Sequence, residues 1–341
     1  MKRPWWALLA GSLLLAMALG VWMRWALAGV VTLWGPFDQL RHAHSHLGYF
    51  GLLFPLAWLG WGAAGAPTPG LRALWGYGAA VLASFVGFLW SGYGPLAIAG
   101  STVVAAFWIW SAAPLLRRLA SPCDPLGVAP PGLLLSLACV PPIALFLRSD
   151  PALAQGFVST FLSGLLFLVV LPSALAARGV TTGPWPLSLL AGSLGAAALG
   201  VWPTPLARAG LLVYAALLVA PVVTARLSWP TRAAWAPVVV GLGAMALGAL
   251  PNVRPVALGA THFLILGPVL GTLAPVWLRR QPPLWAWWCG HALWGLMSAA
   301  LVAQAFVAAP WTWTAAALGG TGALLWWGAV MILQLKKSVS S

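Results

Sequence analysis

Residues 2–24 read KRPWWALLAGSLLLAMALGVWMR. Basic residues stand at both ends, and residues 5–23 between them carry no charge. A helix needs roughly 20 apolar residues to cross the hydrocarbon core of a bilayer, and this run has that length. It resembles a signal anchor, and no small-residue cleavage site marks it for removal.

The same ruler finds eleven more segments: 42–64, 73–90, 95–115, 132–148, 153–176, 184–202, 207–225, 233–251, 256–278, 284–307 and 311–334. Proline and glycine mark most of the turns between them. Only Trp202-Pro203-Thr204-Pro205 separates the seventh from the eighth. The expectation is an all-α polytopic membrane protein of about twelve transmembrane helices. They form a single transmembrane helical domain, residues 1–341, with no separate soluble domain. Residues 24–41, partly apolar, are expected to lie along the outer surface.

Composition agrees. The chain is 62% hydrophobic and 6% charged, with mean hydropathy +0.94. A soluble domain is about a quarter charged, so soluble and disordered classes are excluded. The net charge of +14 does not indicate nucleic acid, because the basic residues punctuate apolar runs instead of forming a patch. With the N-terminus inside, twelve of the seventeen basic residues fall on the inner side. Five fall outside: Arg24, Arg41, Arg148, Arg208 and Arg254. The positive-inside rule therefore predicts both termini in the cytoplasm, N-in and C-in. The expected location is the cell membrane, a bacterial cytoplasmic membrane, with the lipid bilayer as principal partner. Cys123, Cys139 and Cys289 show no metal or disulfide spacing.

Against this apolar background the five histidines stand out. Three lie in Arg41-His42-Ala43-His44-Ser45-His46, opening the second segment, with Asp38 as a candidate N-cap. At 1.5 Å per residue, His44 and His46 sit roughly 9–12 Å inside that helix. His42 and His46 share a face, and His44 points elsewhere. His262 lies about 10 Å inside the tenth segment, which also enters from the outer side. His44 or His46 thus reaches the depth of His262, the geometry for two imidazoles to hold one metal or haem iron. His291 enters from the inner side and is expected to be a hydrogen-bonded or interfacial residue outside this group. Arg41 and Arg254 flank the two histidine helices, where they can act as interfacial anchors or pair with haem propionates.

These stretches resemble a known family. Twelve segments, with histidines entering the second and tenth from outside, look like the haem-copper oxidase catalytic-subunit superfamily. The closer likeness is to its NnrS-like membrane proteins, associated with haem, copper and nitric oxide handling. The similarity rests on His42-Ala43-His44-Ser45-His46-Leu47-Gly48-Tyr49-Phe50 and on Thr261-His262-Phe263-Leu264-Ile265-Leu266-Gly267. It implies haem b bound through His44 and His262, with copper as a further metal at His42. His46, where the family has a methionine-like residue, joins the candidate metal ligands. It further implies a redox or nitrosative-stress role and respiratory or redox partner subunits. The sixth and seventh segments hold no histidine, and the chain has no glutamate, so proton-pumping oxygen reduction is not expected. The alternative is a twelve-helix transporter without a metal site. A transporter favours midplane polar groups and broken helices. Pro141-Pro142 fits that pattern, but no midplane carboxylate or lysine accompanies it.

The orientation is directly testable. A reporter active only in the cytoplasm should work when fused after Ser341 and stay silent after Arg148. The reverse pattern would overturn both the topology and the shared-leaflet placement of the histidines.

Overall fold

A computed structural model describes residues 3–121, 123–147, 149–181, 183, 205–251, 253–278, 280–307 and 309–335. Among the described residues 83% are helical and no strand occurs, so the all-α expectation holds. In chain order the helices are α1 (Arg3–Leu27), α2 (Phe37–His46), α3 (Phe54–Ala63), α4 (Leu71–Ser91), α5 (Pro95–Ala112), α6 (Ala129–Ala138), α7 (Val140–Phe146), α8 (Pro151–Ser163), α9 (Leu171–Ala176), α10 (Pro205–Thr224), α11 (Trp229–Ala246), α12 (Arg254–Leu264), α13 (Leu270–Trp277), α14 (Leu284–Ala303) and α15 (Pro310–Leu335). Seven helices among the described residues are long and apolar enough to cross a membrane. The chain is a multi-pass, all-helical membrane protein. Eleven of the twelve sequence segments coincide with helix, and the seventh, 184–202, lies outside the described residues.

Three π turns join α2 to α3 (Leu47–Leu53), α8 to α9 (Gly164–Val170) and α12 to α13 (Ile265–Val269). Proline explains their positions. Pro55 and Pro172 closely follow the first two, and Pro268 lies within the third. A proline ring clashes with the carbonyl four residues back and donates no N–H. Widening the helix by one residue relieves the clash without breaking the rod.

Exposed tryptophans gather at helix ends. Trp90 ends α4, Trp285 opens α14 and Trp311 opens α15, and all three are more than half exposed. That placement suits the lipid–water boundary.

The contacts divide the chain into two compact units: Met1–Leu56 with Pro69–Phe107 and Val253–Ser341, and Ala57–Thr68 with Trp108–Asn252. In the first, α1 packs on α2 and α15, α2 on α4, and α14 on both α12 and α15. Gln334 ties the end of α15 to Arg280, accepting from its backbone N–H at 3.0 Å and donating to its carbonyl at 2.9 Å. In the second, the Trp58 and Trp61 indoles donate to Ser111 Oγ at 2.8 Å and Ser173 Oγ at 2.7 Å.

Gly259 sets the approach of α12 to α14. A Cβ there would lie 2.6 Å from the Ser298 carbonyl oxygen, so only glycine lets the backbones close. Small residues perform this task where lipid removes the hydrophobic drive between helices. Gly259→Leu should lower the unfolding temperature in detergent, at a cost of about 1–3 kcal/mol from overpacking. An unchanged melting curve would show that the helices do not approach this closely.

Candidate functional site

Helix α2 begins at Phe37, five residues before the sequence segment, with Pro36 at the N-cap and no side-chain cap. This corrects the reading of Asp38 as the cap. Asp38 lies in the first turn, where its charge suits the helix dipole, and pairs with Arg41 at 3.0 Å. Residues 37–41 of the connection 24–41 are helical.

Seven residues into α2, His44 reaches the backbone of α1, its Nδ1 lying 2.8 Å from the Ala16 carbonyl oxygen. Eight residues into α12, His262 Nδ1 lies 2.7 Å from the Leu258 carbonyl oxygen. A carbonyl can only accept, so each Nδ1 carries the proton. In the neutral rings Nε2 keeps its lone pair, the tautomer that binds metals. The ring centroids are 6.1 Å apart and the planes 9° from parallel. Two imidazoles sharing one metal ion at about 2 Å per bond place their centroids about 6 Å apart. Of the open alternatives, His44 rather than His46 faces His262. Both histidines stand close to a π turn, Leu47–Leu53 and Ile265–Val269.

Arg24 completes this pair, and counting charges for topology hid it. It is only 8% exposed, its Nε has no partner, and it joins neither ion pair found among the described residues. Its charge acts on both His44 and His262. A Cβ on Gly20 would lie 2.8 Å from Arg24 Nη1 and 2.9 Å from His44 Cε1. Gly20 therefore leaves the space in which guanidinium and imidazole meet. The four-residue spacing of Gly20 and Arg24, which puts both on one face of α1, was the available signal.

His42 and His46 face another way. His46 stacks on Phe88, centroids 3.9 Å apart, and its Nδ1 lies 2.8 Å from the His42 carbonyl oxygen. His42 meets Tyr93 edge-on at 4.7 Å. Burial pushes the Tyr93 phenol above its ordinary range, with Arg41 opposing, so it stays protonated at neutral pH. Among the described residues no three His, Cys, Asp or Glu converge on one point. Arg41 and Arg254 lie near enough to feel each other and Asp38, at the rim and not beside the paired rings.

His291 is buried instead of interfacial. Trp294 Nε1–H donates to its Nδ1 at 3.0 Å, and Trp287 lies 6.0 Å away centre to centre. It does not join the His44–His262 pair. Cys289 is free and exposed.

No protein-family model and no curated protein matches the chain, so the site is read from its own geometry.

His291→Phe should keep the aromatic packing and leave any bound metal or cofactor in place, while losing one buried hydrogen bond worth about 1 kcal/mol. Loss of cofactor in that variant, measured by metal and pigment content, would place His291 in the site.

Proposed function

We propose that the chain is a membrane-embedded haem protein that holds a b-type haem through His44 and His262 and serves redox or nitric oxide chemistry. The observation that carries this reading is the pair of parallel imidazoles with both Nδ1 atoms bound to backbone carbonyls. Three features fit the group. The metal-binding tautomers are set in advance, Gly20 lets the Arg24 guanidinium reach the ring of His44, and Arg24 is a buried cation without a carboxylate. Held by His44 and His262, a haem would supply one-electron transfer there.

The protein's own tasks are then positional. The Ala16 and Leu258 carbonyls hold the rings, and Arg24 offers its charge to an anionic edge of the ligand. Arg41 and Arg254 stand at the outer rim and can meet carboxylates that reach water. Copper enters the reading only through His42 and His46. Two imidazoles engaged with Phe88 and Tyr93 are a sparse set for it, and electron transfer does not need it.

The finer architecture belongs to the same proposal: about twelve spans, N-in and C-in, in a bacterial cytoplasmic membrane, alongside other respiratory or redox subunits. Two groupings support the alternation. In the first unit, the charge of Arg41 acts on both Tyr93 and Arg254, the three coming from three connections assigned outside. In the second, Arg118, Arg178 and Arg226, from three connections assigned inside, line one cavity with Ala63 at the inner end of the second segment.

Protein purified from cells supplied with haem should show a Soret band and sharp reduced-state bands. His44→Ala and His262→Ala should each abolish or convert that spectrum, and Arg254→Gln should retain it. Arg24→Gln should keep the haem and lower its midpoint potential by tens of millivolts, since a nearby cation favours the reduced, less positive state. A colourless wild type that binds no copper would end the haem reading and leave the transporter.

A further inference from the structure

The second unit contains a cavity of about 500 Å³ lined by Arg118, Arg178 and Arg226, with Asp124 as its one acid. Both oxygens of Asp124 are engaged. Oδ2 pairs with Arg118 Nη1 at 2.8 Å, and Oδ1 accepts from the Leu126 N–H at 2.8 Å, capping the following turn. Arg178 and Arg226 are left with no carboxylate among the described residues.

These two cations are nevertheless held side by side. The Arg226 N–H donates to the Arg178 carbonyl at 3.0 Å. In return Arg178 Nε donates to the Arg226 carbonyl at 2.8 Å, with Nη2 of the same fork on that oxygen. Arg232 Nη2 grips the neighbouring Ala225 carbonyl at 3.1 Å. Burial and the charge of Arg226 both lower the affinity of Arg178 for its proton. A fold that ties two like charges together at a cavity, and engages the cavity's one acid with Arg118 and a turn, leaves a place for an anion.

We propose that this cavity binds a phosphate group between Arg178 and Arg226, carried either by an anionic phospholipid headgroup or by a free solute. Guanidinium forks match phosphate oxygens in geometry as well as charge. Basic pockets beside membrane helices are suited to such headgroups. The side chain of Arg226 makes no hydrogen bond or ion pair among the described residues, so it is the group with most to gain. The inference is independent of the haem reading, whose residues lie in the other unit.

The test uses the full-length protein in detergent as wild type, Arg226→Gln and Arg117→Gln. Arg226→Gln preserves the backbone clasp, because Arg178 holds only the main chain of residue 226. Arg117 is exposed and outside the cavity, so its variant controls for general charge. Phosphatidylglycerol and phosphatidylcholine are added in parallel and retention is read by native mass spectrometry. Inorganic phosphate is added separately and the thermal shift is read. Wild type and Arg117→Gln should retain phosphatidylglycerol over phosphatidylcholine, or be stabilised by phosphate, with Arg226→Gln about tenfold weaker. Response to the lipid alone assigns a headgroup, to phosphate alone a solute, and to both the shared group. Wild type that shows neither preference nor stabilisation overturns the proposal, as does equal binding by Arg226→Gln. The wild-type measurements decide the matter even if that variant does not fold.

Discussion

A peptide group inside a bilayer has no water to bond, so every backbone donor and acceptor must find a partner within the protein. That requirement makes the chain helical, and it also governs the places where the helices are irregular. Each π turn changes the hydrogen-bond ladder and leaves a carbonyl under-used. In two of the three, a buried tyrosine supplies the missing donor. Tyr77 donates to the Phe50 carbonyl, and Tyr214 to the Phe167 carbonyl at 2.6 Å. These tyrosines, wholly enclosed, repair the backbone where proline has disturbed it.

The same requirement shapes the histidine pair. An imidazole in this environment must also bond something, and His44 and His262 both use Nδ1 on a helix carbonyl. The bond that satisfies one nitrogen aims the other. His46 follows the same rule towards the His42 carbonyl, yet its ring turns to Phe88. His291 inverts the pattern, accepting at Nδ1 from Trp294 and leaving Nε2 buried without a partner. These four histidines all engage Nδ1; they differ in whether it donates or accepts and in what the rest of the ring faces.

Much of this was legible in residue order. Long uncharged runs locate helices because hydrocarbon tolerates so little charge, and residue rise with a shared entry side brought His44 or His46 to the expected depth of His262. Helix geometry left His44 and His46 both open and only the family resemblance favoured His44, since a helix face acquires meaning only when its neighbour is known. Asp38 looked like a cap because caps favour aspartate, but Pro36 starts the helix earlier with a preset φ. The π turns left no periodic trace, because one extra residue per helix is smaller than the error on any boundary. Arg24 was hidden by its own usefulness: an arginine at a helix end explains orientation, and that explanation is complete until burial is seen.

Charge balance joins these observations. The chain has three acidic residues, and the structure engages each locally. Asp38 pairs with Arg41, Asp124 holds Arg118 and a turn, and Asp150 caps α8 through the Leu153 N–H at 3.0 Å. None remains for the other cations. At an exposed position such as Arg117 water suffices, and an ion pair there would add little. Arg24 has no such recourse, because an unpaired buried charge is among the costliest features a fold can keep. Its neighbours are two neutral imidazoles that cannot balance it. In the proposed reading, a ligand that carries both a metal centre and negative charge would occupy the lone pairs of those rings and stabilise Arg24 together.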